Sequence, residues 1–218
     1  ESSGLIIGLG NYVLDAACKQ ISLWLQQGQP VRIAVNLSAQ QLRESNLVQL
    51  VRDALERYQV PAQWLELEVT ESQAMQDPDH ACRMLAELAG LGVSLALDDF
   101  GNGHSSLAYL QHLPVQRLKL GKDFMRTGRL GSRLLGAMIQ FGHALNLQVV
   151  AEGVETEVQR SQLEAMGCEC YQGWLASKAM TALEFETWRN QREYCLGSYK
   201  TSTRRWIFYP QRALLVDD

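Results

Sequence analysis

Positive charge is in short supply. The 218 residues carry 20 Lys and Arg against 24 Asp and Glu, a net charge of −4. That balance excludes a nonspecific grip on a nucleic-acid polymer, which needs clustered cations. An anionic substrate stays open to it only if metal ions stand between protein and ligand. Long apolar runs are missing too. None approaches the roughly 20 residues of a membrane span, so direct membrane insertion is not expected. The five cysteines, Cys18, Cys82, Cys168, Cys170 and Cys195, show no paired framework. A reducing, cytoplasmic setting is therefore expected. Cys168 and Cys170 have no second pair elsewhere, which argues against zinc. No signal-peptide pattern, internal repeat or low-complexity segment is read in these residues. The chain lacks an initiator methionine and opens ESSGLIIGLG, so it is read as a fragment of a longer protein. Hydrophobic residues make up 46%, enough for one sizeable globular core.

Strand-like and helix-like segments alternate at intervals of roughly thirty residues, the rhythm of parallel βαβ units. Helices are expected at Asn11–Gln26, from a Ser38 cap through Tyr58, from Asp77-Pro78 to Gly90 or Gly92, and at Leu107–Leu113. Others are expected at Leu130–Leu145, Thr156–Met166 and, capped by Thr181, Leu183–Arg192. Strands are expected at Val31–Leu37, Trp64–Val69, Val93–Leu97, Arg117–Leu120, Gln148–Ala151 and near Cys170-Tyr171. After Gly197 the rhythm stops. Residues 1–196 therefore read as one domain and 197–218 as a tail or linker, whose ALLVDD ending faintly resembles the first strand of a receiver domain.

The strands share one property: each ends on a polar group. Asn36 ends VRIAVN, Glu68 ends WLELE, Asp98-Asp99 follow VSLAL, Lys119 lies in RLKL, and Glu152 ends QVVAE. This is the pattern of a barrel with its site at the C-terminal ends of the strands. Adjacent carboxylates repel, and a hard divalent cation is the commonest reason to keep them together. Taken singly, each residue has a plainer explanation. Asn36 can cap a helix, Glu68 can be a surface group, the aspartates can belong to a turn before Gly101, Lys119 can sit on a solvated rim, and Glu152 can pair with a helix terminus. Their occurrence on successive strands argues for a joint role. His80, His112 and His143 lack ligand spacing and read as surface or core residues, with His104 as a loop contact.

VNLSAQQL, LELEVTES, LALDDFGNGHSSLAYLQHLPVQRLKL, VVAEGVET and YQGWLASK occur in that order. This set resembles the EAL domains, bacterial phosphodiesterases that hydrolyse cyclic di-GMP to linear pGpG, over about Glu1 to Arg192. The resemblance implies an α/β fold, a TIM-like (β/α) barrel of the EAL type, with the first strand missing from this chain. It implies a two-metal site for Mg²⁺ or Mn²⁺ held by Asn36, Glu68, Asp98 and Asp99. Lys119 is expected to hold the attacking water, Glu152 to position it, and Gln172 to support them. Glu71 and Glu155 are expected to steady the loop after the aspartates and to line the nucleotide site. Cyclic di-GMP is the implied ligand. A homodimer and upstream sensory or diguanylate cyclase-like domains are compatible with it. The alternatives are a noncatalytic cyclic di-GMP receptor and a protein-interaction module on the same fold.

Several positions depart from the family pattern. The Glu-Ala-Leu motif, whose glutamate is a metal ligand, would lie upstream of ESSGLI, which is read as truncation. On that reading the isolated chain is expected to expose the strand bearing Asn36, and to be poorly soluble and nearly inactive. Gly121 replaces an aspartate that supports the lysine, while Asn102 and His104 replace a threonine and a tyrosine. Trp174 replaces a tyrosine and Ala179 a common proline.

Overall fold

The computed structural model describes residues 5–101, 107–126, 129–196 and 207–208. Asn102 and His104 lie outside them, as does most of the 197–218 segment. The chain forms two compact units. One comprises Glu1–Lys119 with Leu145–Leu147, the other Leu120–Ala144 with Gln148–Asp218.

The first unit holds parallel strands β1 (Ile33–Asn36), β2 (Leu65–Thr70), β3 (Ser94–Phe100) and the body of β4 (Arg117–Leu120), in chain order. Its helices are α1 (Leu5–Gln26), α2 (Ala39–Arg43), α3 (Leu47–Arg57), α4 (Glu71–Ala74), α5 (Pro78–Gly90) and α6 (Leu107–Leu110). Alternation explains β2. Leu65, Leu67 and Val69 lie fully buried on one face, and Glu66, Glu68 and Thr70 fall on the other. Burying each of those apolar side chains contributes about 1.5–3 kcal/mol. Asn36 stands opposite Glu68, and Glu66, Glu68 and Thr70 stand opposite Ser94, Ala96 and Asp98. Leu95 accepts from the Gln116 amide (3.0 Å) and donates its own N–H to the Gln116 side chain (2.8 Å), which fixes the entry of β4.

Helix α1 buries Leu14, Ala17, Cys18, Ile21 and Trp24 at helical spacing and begins earlier than the sequence suggests. Its Asp15 accepts from Arg57 and Tyr58 at the end of α3, at 2.6 Å each. Burial, with the Asp15 charge, pushes the Cys18 thiol up to about 12. The single helix expected from Ser38 to Tyr58 is in fact two. Ser38 does cap, through a reciprocal box with Gln41, but the chain turns extended at Glu44. Glu44-Ser45-Asn46 supplies turn-forming side chains that a count of apolar spacing overlooks. Leu50 on α3 is only half buried. Helix α5 begins as expected, with Asp77 accepting from the His80 amide and Pro78 at its first position.

The second unit contains α7 (Asp123–Arg126), α8 (Arg129–Ala144), β5 (Gln148–Glu152), α9 (Glu157–Ala165), β6 (Cys170–Gln172), α10 (Ala182–Leu196) and β7 (Ile207–Phe208). Strand β6 runs parallel to β5 and to β7. The two residues of β7 fall in the segment read as a tail. A two-residue strand is too short to show periodicity, although Trp206-Ile207-Phe208-Tyr209 has strand-favouring composition. Cys168 is buried, donates to the Cys170 carbonyl (3.2 Å), and is pushed up to about 11 mainly by burial. Cys18, Cys82, Cys168 and Cys170 are all free thiols. No helix among the described residues is long and apolar enough to cross a membrane.

Candidate active site

In the first unit the polar strand ends converge. Glu68 on β2, Asp98 on β3 and Lys119 on β4 are all buried. The Lys119 Nζ lies 2.7 Å from Glu68 Oε2 and 3.2 Å from Asp98 Oδ1. One ammonium thus neutralises two carboxylates that could not share the same buried site as bare anions. Asn36 stands beside Glu68 in register and is exposed at the strand end.

Asp99 breaks a rule. Neighbouring strand residues point to opposite faces, which would separate the two aspartates. The Asp99 backbone adopts φ +53, in the left-handed region, and its N–H donates to Asp98 Oδ1 (2.9 Å). The two carboxylates thereby offer oxygens within 4.8 Å of each other. Aspartate tolerates this conformation better than bulkier residues, and such strain concentrates at functional sites. Gly101 follows at φ +93, and its N–H donates to Glu71 Oε2 (2.9 Å). Glu71 is itself buried in the first turn of α4, behind a capping box between Thr70 and Gln73. The carboxylate thus anchors the start of the loop after the aspartate pair.

The second unit places Glu152 opposite Gln172 at the ends of β5 and β6. The loops beyond them are stitched together: Val154 N–H donates to the Gln172 carbonyl (3.1 Å) and Leu175 N–H to the Val154 carbonyl (3.0 Å). A Cβ on Gly173 would lie 2.1 Å from the Val154 oxygen, so only glycine fits. Gly173→Ala is expected to destabilise the protein by about 1–3 kcal/mol. A thermal melt checks this, and an unchanged midpoint would show that the strand end gives way freely. Glu155 is exposed, and its amide donates to Gln159 (2.8 Å). Of the histidines, His80 Nε2 lies 3.0 Å from the Leu42 carbonyl and His143 lies 2.9 Å from Glu169. His112 is exposed, and His104 falls outside the described residues.

A second charged layer, absent from the expected site residues, lies beneath. Glu66, fully buried, pairs with Arg117, and Arg117 also donates to Ser94 Oγ (3.0 Å). The signal was present as matched spacing, Glu66 and Glu68 against Arg117 and Lys119.

The sequence profile of the EAL domain matches residues 1–179. The chain belongs to the EAL domain family. It is 45% identical over 186 residues to the bifunctional diguanylate cyclase/cyclic di-GMP phosphodiesterase MucR of Pseudomonas aeruginosa, a match covering 84% of this chain and 27% of MucR. A solved MucR phosphodiesterase in complex with c-di-GMP is 45% identical, with a TM-score of 0.73, covering 76% of this chain and 68% of that one. The EAL domain of Mycobacterium smegmatis DcpA is 34% identical with a TM-score of 0.79, covering 85% and 86% of the two chains. The fold is therefore the TIM-like α/β fold of EAL domains. The chain spans about a quarter of the length of the curated relatives YkoW, MucR and NbdA.

Proposed function

We propose that this EAL domain hydrolyses cyclic di-GMP to linear pGpG in bacterial second-messenger signalling. The observation that carries the reading is the buried Glu68–Lys119–Asp98 cluster with Asp99 folded back beside it. Support also comes from the family and from the c-di-GMP complex of a relative 45% identical. The full-length protein, like MucR, is taken to carry further domains, and the cytoplasm is the setting that supplies this nucleotide.

The donor set suits a hard divalent cation. Glu68, Asp98 and Asp99 provide carboxylate oxygens and Asn36 a neutral amide oxygen, the preference of Mg²⁺ or Mn²⁺. When bound, such ions lower the pKa of water and offset charge on the phosphate. Lys119 holds and orients the attacking water and meets charge developing on the phosphoryl oxygens. Glu152 takes part in positioning that water, with Gln172 beside it as support. Glu71 fixes the loop at Gly101, and Glu155 faces the nucleotide side. The water oxygen bonds to phosphorus, one P–O3′ bond breaks, and the 3′-oxygen leaves with a proton. The product is linear pGpG.

The test is incubation of the full-length protein with cyclic di-GMP and Mg²⁺ or Mn²⁺, with pGpG read by chromatography. Calcium, with longer bonds and looser geometry, is expected to inhibit. Full activity in excess chelator would overturn the mechanism. Binding without turnover is the second reading, favoured by Gly121, buried just after β4 where the family carries an aspartate. Gly121→Asp is expected to raise kcat by orienting the lysine. An unchanged or lower rate would mean that Glu68 and Asp98 already suffice to orient it.

A further inference from the structure

The two buried ion pairs have an unusual route. Glu66 and Glu68 lie on β2, Arg117 and Lys119 on β4, and β3 runs between them. Each pair therefore reaches over an intervening strand. Neighbouring strands lie about 4.8 Å apart, so each bridge covers nearly 10 Å between backbones. Only long cations on β4 can do this, and only if β3 offers nothing tall on the face between them.

That face of β3 consists of Ser94, Ala96 and Asp98 by alternation. Ser94 accepts from Arg117, and Asp98 receives Lys119. Ala96 stands between them, fully buried and directly opposite Glu68. Its methyl group is the side chain that β3 places between the two bridges. We propose that Ala96 is a positioning residue for Lys119, its small side chain opening the passage by which the ammonium reaches Glu68 and Asp98. A larger side chain there would push the lysine stem aside, while the Asp98 carboxylate, two residues along the same strand, stays held by the Asp99 amide. The kinetic consequence rests on the hydrolase reading; the placement of the lysine does not.

The test compares Ala96→Val with Ala96→Ser in the full-length protein. Ala96→Val is expected to lower kcat for cyclic di-GMP by about 100-fold, the scale of a misplacement near 1 Å. KM is expected to stay close to wild type, because the lysine acts on the water and not on affinity. Ala96→Ser is expected to retain activity. A second readout needs no turnover. Reductive methylation followed by peptide mass spectrometry is expected to find Lys119 protected in wild type and in Ala96→Ser, and modified in Ala96→Val. The exposed Lys19 and Lys122 serve as references that stay constant. Should Ala96→Val fail to fold, as read by circular dichroism, Ala96→Cys carries the same comparison with a smaller increment.

Wild-type kcat with Lys119 still protected in the enlarged variant would overturn the proposal. So would a loss of kcat with Lys119 still protected, because the damage would then lie elsewhere. If the wild type hydrolyses no cyclic di-GMP yet the enlarged variant uncovers Lys119, the hydrolase reading falls and the positioning role stands.

Discussion

Asp98→Asn is expected to reduce cyclic di-GMP hydrolysis to background, a loss of about 10³-fold or more, the scale on which electrostatic stabilisers act. The substitution changes charge at constant shape. Asp98 is buried, accepts from the Asp99 amide at 2.9 Å, and lies 3.2 Å from the Lys119 ammonium. Asparagine keeps the acceptor oxygen and so keeps the Asp99 turn. What it removes is one negative charge from a site proposed to bind divalent cations through carboxylates. Raising Mg²⁺ is not expected to restore the rate, because binding alone does not restore the field around the water. The check is pGpG formation across a metal titration, with a thermal melt to show that the fold survives. A variant within about tenfold of wild type, some 1.4 kcal/mol in barrier height, would remove Asp98 from the mechanism.

Lys119→Ala is expected to cut kcat by about 10²–10³-fold while leaving cyclic di-GMP affinity largely intact, the signature of an interaction made mainly in the transition state. It has a second consequence that an exposed lysine would not have. Glu68 and Asp98 are both buried and both rest on this ammonium. Removing one partner of a buried pair typically costs about 3–5 kcal/mol, because the remaining charge is left uncompensated. The metal-free variant is therefore expected to melt well below wild type, and added Mg²⁺ to recover more of the difference than it adds to wild type. Calorimetry with and without metal reads this directly. A large loss of affinity at unchanged kcat would reassign Lys119 to substrate binding. An unchanged melting temperature would mean that the carboxylates find another cation.

The sequence was legible where period and chemistry coincide. Strands whose apolar run closes on Asn36, Glu68, Lys119 or Glu152 could be placed to within a residue or two, and β4 came out at Arg117–Leu120. The expected Ser38 cap is present and the Thr181 hydroxyl accepts from the Glu184 amide (3.3 Å), because short polar side chains at a helix start have one dominant use. Less visible was anything set by tertiary neighbours. The break at Glu44 follows from local turn chemistry that apolar spacing masks. Strand β7 is defined by its parallel pairing with β6, since two residues carry no period of their own. The turn of Asp99 requires a backbone angle that no periodic pattern encodes, and by strict alternation the two aspartates would have pointed apart. The Glu66–Arg117 layer escaped notice because a glutamate in a strand reads as solvent-facing until a cation two strands away is brought over it.

The left-handed backbone at Asp99 also decides how this position can be interrogated. Alanine there would delete the carboxylate and at the same time hold a Cβ-bearing residue with no local hydrogen-bonding side chain in a conformation costing about 1–2 kcal/mol. An alanine scan would then attribute to ligand loss what is partly backbone strain. Asparagine, nearly as content at φ +53 as aspartate, separates the two. In metal-free protein the difference in stability between Asp99→Asn and Asp99→Ala then reads mainly the strain of that one turn.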